Sequence, residues 1–129
     1  MVIRDLTERL IDDGEKLIAR LDETGAQVGS AMWMLNPTAE KWKLVISMPI
    51  VAEEGPLKGY KVVERALDDL GHEVRDLVSW DTVVLSPDAP LMARLREAVH
   101  TGPGLSRVWF RGAAVRGEMF PDSLVYRAA

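Results

Sequence analysis

The sequence predicts an α+β fold, a mixed α/β arrangement built on a single mixed sheet. Stretches with helical spacing of apolar residues are interspersed with stretches in which apolar and polar residues alternate, and Gly and Pro separate them. A hairpin is followed by a helix and another strand, which indicates parallel as well as antiparallel pairing. The expected order is α-β-β-α-β-α-β-β-β, with an amphipathic helix at the N-terminus and two further helices packed on the sheet.

The N-terminal helix is predicted over residues 3–24. Its apolar residues recur at spacings of three, four or seven, which places them on one face of a helix. They are Ile3, Leu6, Leu10, Leu17 and Leu21. Gly14 is expected to weaken this helix by about 1 kcal/mol relative to Ala, and Gly25 is expected to end it. Asp12 and Glu15 are expected to belong to its solvated face.

A hairpin is predicted next, with strands from Val28 to Leu35 and from Trp42 to Met48 around the turn-forming stretch 36–41. On the second strand the side chains divide between two faces. One face carries Trp42, Leu44, Ile46 and Met48, and the other carries Lys43, Val45 and Ser47.

The remaining elements follow from the same patterns. Residues 57–70 predict a helix that ends at Gly71, and the run from Trp80 to Leu85 predicts a strand. A third helix is expected to open within residues 86–90, with Asp88 as its N-cap and a proline in its first turn. The tail predicts three short strands, at residues 107–111, 114–120 and 123–127, the second broken near Gly117.

Composition predicts one globular domain over residues 1–129. Apolar residues make up 47% of the chain and charged residues 28%, which is enough apolar material for one core. The absence of Cys excludes disulfides, thiol nucleophiles and zinc–thiolate sites. The start of the chain does not resemble a signal peptide, and no apolar stretch approaches the ~20 residues of a membrane span. We therefore expect a soluble, cytoplasmic protein that does not bind membranes.

Charge is distributed unevenly along the chain. Residues 1–88 contain 10 Lys and Arg against 17 Asp and Glu, a net charge of −7, whereas residues 89–129 contain 6 against 3, a net charge of +3. The whole chain is acidic, with a net charge of −4, which argues against non-specific binding to nucleic acid.

Residues that carry catalytic chemistry form no recognisable set. No phosphate-binding glycine loop, dinucleotide-binding glycine motif or nucleophile elbow occurs, and His72 and His100 are far apart in sequence. Asp81, within a predicted strand, and Glu40, at the start of another, are the carboxylates on which a small-molecule enzyme would have to depend. We expect no cofactor and no metal, and the sequence favours a protein that is not an enzyme.

A basic and aromatic face is predicted at the C-terminal strands. Alternation places Arg107, Trp109 and Arg111 on one face of a strand, and Arg116 and Arg127 lie on the neighbouring strands. An indole between guanidinium groups suits base stacking with phosphate contacts, so these five residues are the candidate nucleic-acid or anion site. The alternative is a structural role, in which Arg side chains pack over Trp.

Four Trp and six Met are many for 129 residues, and most fall in predicted strands. They indicate either a sheet core or an apolar surface for a partner, since both types are enriched at interfaces. The leading hypothesis is a non-enzymatic interaction or assembly module that self-associates as a homodimer or joins a larger protein complex. A nucleic-acid-associated accessory domain is the second hypothesis, and an enzyme with a carboxylate site is the third.

Overall fold

The computed structural model describes residues 5–36, 38–112, 114–115 and 117–129. These residues form four α-helices: α1 (Glu8–Glu23), α2 (Pro49–Glu54), α3 (Pro56–Leu70) and α4 (Pro90–Ala98). Their strands are β1 (Ser30–Asn36), β2 (Lys41–Ser47), β3 (Thr82–Leu85), β4 (Val108–Phe110), β5 (Ala114–Val115), β6 (Glu118–Met119) and β7 (Ser123–Ala128). The predicted α+β class with a helix near the N-terminus is confirmed.

The main sheet has five strands in the order β3-β2-β1-β7-β4. Strand β3 runs parallel to β2, while the β1–β2, β1–β7 and β4–β7 pairs are antiparallel. The sheet is therefore mixed, as predicted. Strands β5 and β6 form a separate two-stranded sheet, because Gly117 takes a φ of +78° and breaks the predicted strand 114–120 into a hairpin.

Both faces of the main sheet are covered. Helices α1 and α3 pack on one face, and α4 packs on the other. The first core includes Leu17, Leu21, Trp33, Leu44, Ile46, Val63, Leu124 and Tyr126. The second includes Met32, Val45, Met92, Leu95, Phe120 and Val125. The division of Leu44 and Ile46 from Val45 confirms the two faces predicted for the second strand.

Helix α1 begins later than predicted, at Glu8. The hydroxyl of Thr7 accepts a hydrogen bond from the backbone N–H of Leu10 at 3.2 Å, so Thr7 caps the helix. Leu10, Leu17 and Leu21 are buried, and Leu6 packs at the edge of the same core. The apolar face of the helix is thus docked on the sheet, while residues 3 and 4 of the predicted helix lie outside the described residues.

Gly14 of α1 lies directly against side chains of the sheet. The prediction that this glycine merely weakens the helix is therefore corrected. A Cβ at this position would overlap the hydroxyl oxygen of Tyr126 and lie 2.9 Å from Nε1 of Trp33. The Tyr126 hydroxyl donates to the carbonyl oxygen of Ile11 at 2.5 Å and accepts from Trp33 Nε1 at 2.9 Å. Burial raises the pKa of Tyr126, so the hydroxyl keeps the proton that it donates.

Three further predictions about local structure are corrected. Pro49 starts the short helix α2, because a proline in the first turn loses no hydrogen bond. Trp80 precedes the third strand and lies in a 3₁₀ turn, Ser79–Asp81. Asp88 does not cap α4: Ala89 occupies that position, and the backbone N–H of Asp88 donates to Ser86 Oγ at 3.2 Å.

Across the part of the chain that the structure describes, no helix has the length and apolar character needed to cross a membrane.

Candidate functional site

Arg107 of the predicted basic face is bound by α1. Its guanidinium Nε donates to Glu15 at 2.6 Å and its NH2 group to Asp12 at 2.8 Å, while NH1 lies 3.4 Å from a carboxylate oxygen of Glu8. The hydrogen bonds that Arg107 donates to Glu15 and Asp12 raise the pKa of Arg107 above its ordinary value. Asp12 and Glu15 are therefore not merely a solvated helix face, because they attach α1 to the residue that precedes β4.

Arg127 is also engaged in structural contacts. Its side chain is 7% exposed, and its two terminal nitrogens donate to the Asp22 carboxylate at 3.0 and 2.8 Å. One of them also donates to the carbonyl oxygen of Val28 at 3.1 Å. This arginine fixes the C-terminal end of α1 against β7. Arg116, another residue of the predicted set, lies outside the described residues.

Trp109 and Arg111 do form a surface pair. The guanidinium carbon of Arg111 lies 4.6 Å from the centre of the Trp109 ring, and Trp109 is 43% exposed. The Trp109 ring also meets Trp42 edge-on at 6.5 Å. Of the predicted set, these two residues combine a cation with an accessible indole, whereas Arg107 and Arg127 are held by carboxylates.

The two carboxylates that the sequence offered for an enzyme, Asp81 and Glu40, both lie in turns. Asp81 is buried, and its Oδ2 accepts from the backbone N–H of Val78 at 3.1 Å. Glu40 has a φ of +53° in the hairpin turn before β2. Within the described ranges, no three His, Cys, Asp or Glu side chains are grouped so that they could hold a metal ion.

Asp13 is a buried carboxylate whose role was not predicted from the sequence. Its side chain is 2% exposed, and its oxygens accept hydrogen bonds from the backbone N–H groups of Arg75, Asp76 and Leu77 at 2.7 to 3.2 Å. Its position between Leu10 and Leu17 on the apolar stripe was the available signal, because an Asp there has to find hydrogen-bond donors. These bonds fix the segment that leads into the Trp80 turn.

Trp80 is the most prominent feature of the described surface. The residue is 76% exposed, and no other large apolar residue among those described is more exposed. Val78, in the same segment, is exposed as well, and so is Leu57 at the start of α3. Tyr60 and Glu64 of α3 line a cleft with Trp80, and Leu57 lies on the same face of α3 by helical spacing. We call Leu57, Tyr60, Val78 and Trp80 the Trp80 surface.

The backbone of the Trp80 turn is held by several hydrogen bonds. Asp81 N donates to the Val78 carbonyl at 2.9 Å, and the Thr82 hydroxyl donates to the Ser79 carbonyl at 2.6 Å. The ammonium group of Lys43 donates to the Trp80 carbonyl at 2.6 Å and lies 5.2 Å from the centre of its ring. Ser79, Asp81 and Thr82 are turn-forming residues, which is the sequence signal that could have separated Trp80 from the following strand.

Two open clefts adjoin this turn. The first, of about 370 Å³, lies between α3 and the residues around Trp80, and Lys43, Tyr60, Glu64 and Trp80 are among its lining residues. The second, of about 340 Å³, is lined by Glu64, Leu67, Asp68, Leu77, Val78 and Ser79. Glu64 and Ser79 line both clefts. The arrangement offers an exposed indole beside concave surfaces that are partly apolar and carry charged groups.

Comparison of the chain with models of protein families, with curated proteins and with solved structures finds no match.

Proposed function

We propose that this chain is a non-enzymatic protein-interaction module and that the Trp80 surface is its contact surface. The observation that carries the proposal is the exposure of Trp80, a residue that is 76% accessible on a hydrogen-bonded turn. Contact between an indole and water is unfavourable, and a partner that covers the indole removes this apolar surface from water. Burial of the indole therefore contributes favourable free energy to binding.

The fixed turn strengthens this proposal. Binding costs conformational entropy when the contact residues must first be ordered, and a preformed turn reduces that cost. Trp is also among the residue types that most often dominate interface energetics when buried by a partner. Tyr60 lines a cleft together with Trp80 and would add apolar contact beside the indole, and Lys43 and Glu64 supply charges in the same cleft. The exposed side chains of Val78 and Leu57 would extend this contact.

The arginine contacts are the reason to place nucleic-acid binding second. Phosphate groups bound by Arg107 or Arg127 would have to compete with the carboxylates of α1 that already hold these side chains. Base stacking on Trp109 beside Arg111 stays a prediction from the sequence, as does the cytoplasmic location.

Photo-crosslinking in cells that express the chain tests the proposal. A photo-reactive phenylalanine analogue replaces Val78 in one variant and Met119, which is also an exposed apolar residue and lies on β6, in the control. We expect discrete protein adducts from position 78, loss of those adducts when Trp80→Ala is added, and no such adducts from position 119. Absence of any adduct at position 78, or adducts that persist without the indole, would contradict the proposal.

A further inference from the structure

The Trp80 surface has a projecting part that carries positive charge. The Trp80 indole projects from its turn, and the ammonium group of Lys43 is bonded to the carbonyl of the same residue. The ammonium also lies 5.2 Å from the centre of the ring. The indole and the cation therefore lie together on the surface, and we call this pair the tryptophan knob.

The second cleft has the opposite character. Leu67, Leu77 and Val78 provide apolar walls, and Glu64 and Asp68 provide negative charge. Both carboxylates are exposed on the outer side of α3. Neither forms an ion pair with another of the described residues. At about 340 Å³ the cleft is large enough to receive much of an aromatic side chain, and its rim attracts a cation. We call it the acceptor cleft.

From this complementarity we infer that the partner of the Trp80 surface is a second copy of this chain. A contact with two-fold symmetry requires that one surface carry both members of each complementary pair. Here the tryptophan knob and the acceptor cleft lie side by side, joined by Ser79 and Val78. Each copy then inserts Trp80 into the acceptor cleft of the other, and Lys43 of each faces Glu64 and Asp68 of the other. This inference rests on the proposed function, since it names the partner.

Light scattering of the purified chain at tens of micromolar gives the first test. We expect the mass of two chains for the native sequence and for Met119→Ala, which removes an exposed apolar side chain elsewhere. Trp80→Ala is expected to raise the dimer Kd roughly thirtyfold or more, the loss typical of a central aromatic contact. The thermal midpoint of Trp80→Ala serves as the folding check, because an exposed side chain contributes little to the core.

Charge reversal gives a second test, in which the expected result requires contact between two chains. Lys43→Glu places a carboxylate against Glu64 and Asp68 of the other copy, and Glu64→Lys places an ammonium group against Lys43 of the other copy. Each variant alone is therefore expected to dimerise at least roughly tenfold more weakly. In an equimolar mixture of the two variants both contacts pair opposite charges again. We therefore expect the mixture to form a heterodimer that neither variant forms by itself.

The outcomes separate this inference from the proposed function. A monomeric mass for the native chain, or a dimer that persists in Trp80→Ala and shows no rescue on mixing, overturns the inference. If the native chain is monomeric while position 78 still gives Trp80-dependent crosslinks to another protein, the proposed function stands and the second copy is excluded. If both experiments are negative, both proposals fail.

Discussion

Position 14 illustrates how a residue far away in the sequence can decide what a helix position requires. Glycine in the middle of a helix normally costs about 1 kcal/mol relative to alanine. In α1 that preference is reversed, because Tyr126 and Trp33 occupy the space that a Cβ would take. Helical periodicity could locate Gly14 beside the apolar stripe, but it contains no information about side chains that arrive from β1 and β7.

Gly14→Ala is therefore expected to lower the free energy of unfolding, by about 1–3 kcal/mol, the usual cost of overpacking. Urea unfolding measures the change. The matched control introduces Gly14→Ala into a Tyr126→Phe background, where the hydroxyl that would clash is missing and the alanine should cost less. An increase in stability for Gly14→Ala in the native background would show that the intrinsic helix preference dominates at this position.

At the scale of elements, Asp13 connects α1 to the segment before the Trp80 turn. Its carboxylate is buried and accepts hydrogen bonds from three successive backbone N–H groups. Asp13 thus supplies residues 75–77 with the hydrogen-bond acceptors that a neighbouring strand would supply in a sheet. The neighbouring Asp12 is exposed and takes part in the ion pair with Arg107. Two adjacent aspartates thus have different roles, which depend on the side of the helix that each occupies.

Asp13→Ala is expected to destabilise the protein by about 3 kcal/mol or more, because three backbone donors, one buried and two partly buried, lose their acceptor. Asp12→Ala is the control and should cost less than about 1 kcal/mol, as is usual for an exposed ion pair. Chemical denaturation of both variants gives the comparison. Similar losses for the two variants would show that the hydrogen bonds to residues 75–77 contribute little.

Most elements could be predicted from the sequence because their signal is local. The apolar spacing of α1 and α3 and the alternation of β2 each arise within one element. The turn-forming residues Ser79 and Asp81 on either side of Trp80 were a local signal too, but Trp itself is common in strands and is followed closely by Thr82-Val83-Val84, so the prediction placed Trp80 in the strand. Its exposure depends on Asp81 and on Lys43, which lies 37 residues from Trp80 in the sequence.

At the scale of the whole molecule, the uneven charge of the sequence has a structural counterpart. The C-terminal third carries a net charge of +3 and the preceding part −7. Arg107 binds three carboxylates of α1, and Arg127 binds Asp22 at the end of the same helix. The basic tail therefore neutralises part of the acidic N-terminal region, a pairing across about 100 residues that charge counts along the sequence could not assign.

Because much of this pairing is exposed, its contribution to stability should depend on ionic strength. Arg107→Gln is expected to lower the free energy of unfolding by about 1–2 kcal/mol at low salt, with three weak ion pairs lost together. The difference from the native chain should shrink in about 1 M NaCl, where the screening length is only ~3 Å.

Arg111→Gln is the control for that measurement. Arg111 stacks on Trp109 and has no ion-pair partner among the described residues, so its small effect should change little with salt. Thermal or urea unfolding at both salt concentrations decides the matter. An Arg107→Gln difference that stays constant from low to high salt would mean that packing of the side chain, not charge, stabilises this contact.

Strand β1 lies between β2, which follows it at once, and β7, which comes almost at the end of the described chain. The bond between Trp33 and Tyr126 spans 93 residues. During synthesis β1 and β2 therefore emerge long before β7, the strand that pairs with the other side of β1. Until β7 is made, Trp33 lacks its hydrogen-bond acceptor, the Tyr126 hydroxyl. Such distant pairing slows folding, because a long loop must close before the contacts that reward it can form. A nascent chain that stops before β7 would expose the unpaired edge of β1. Such an edge can pair with other chains, so the incomplete protein would be prone to aggregate during translation.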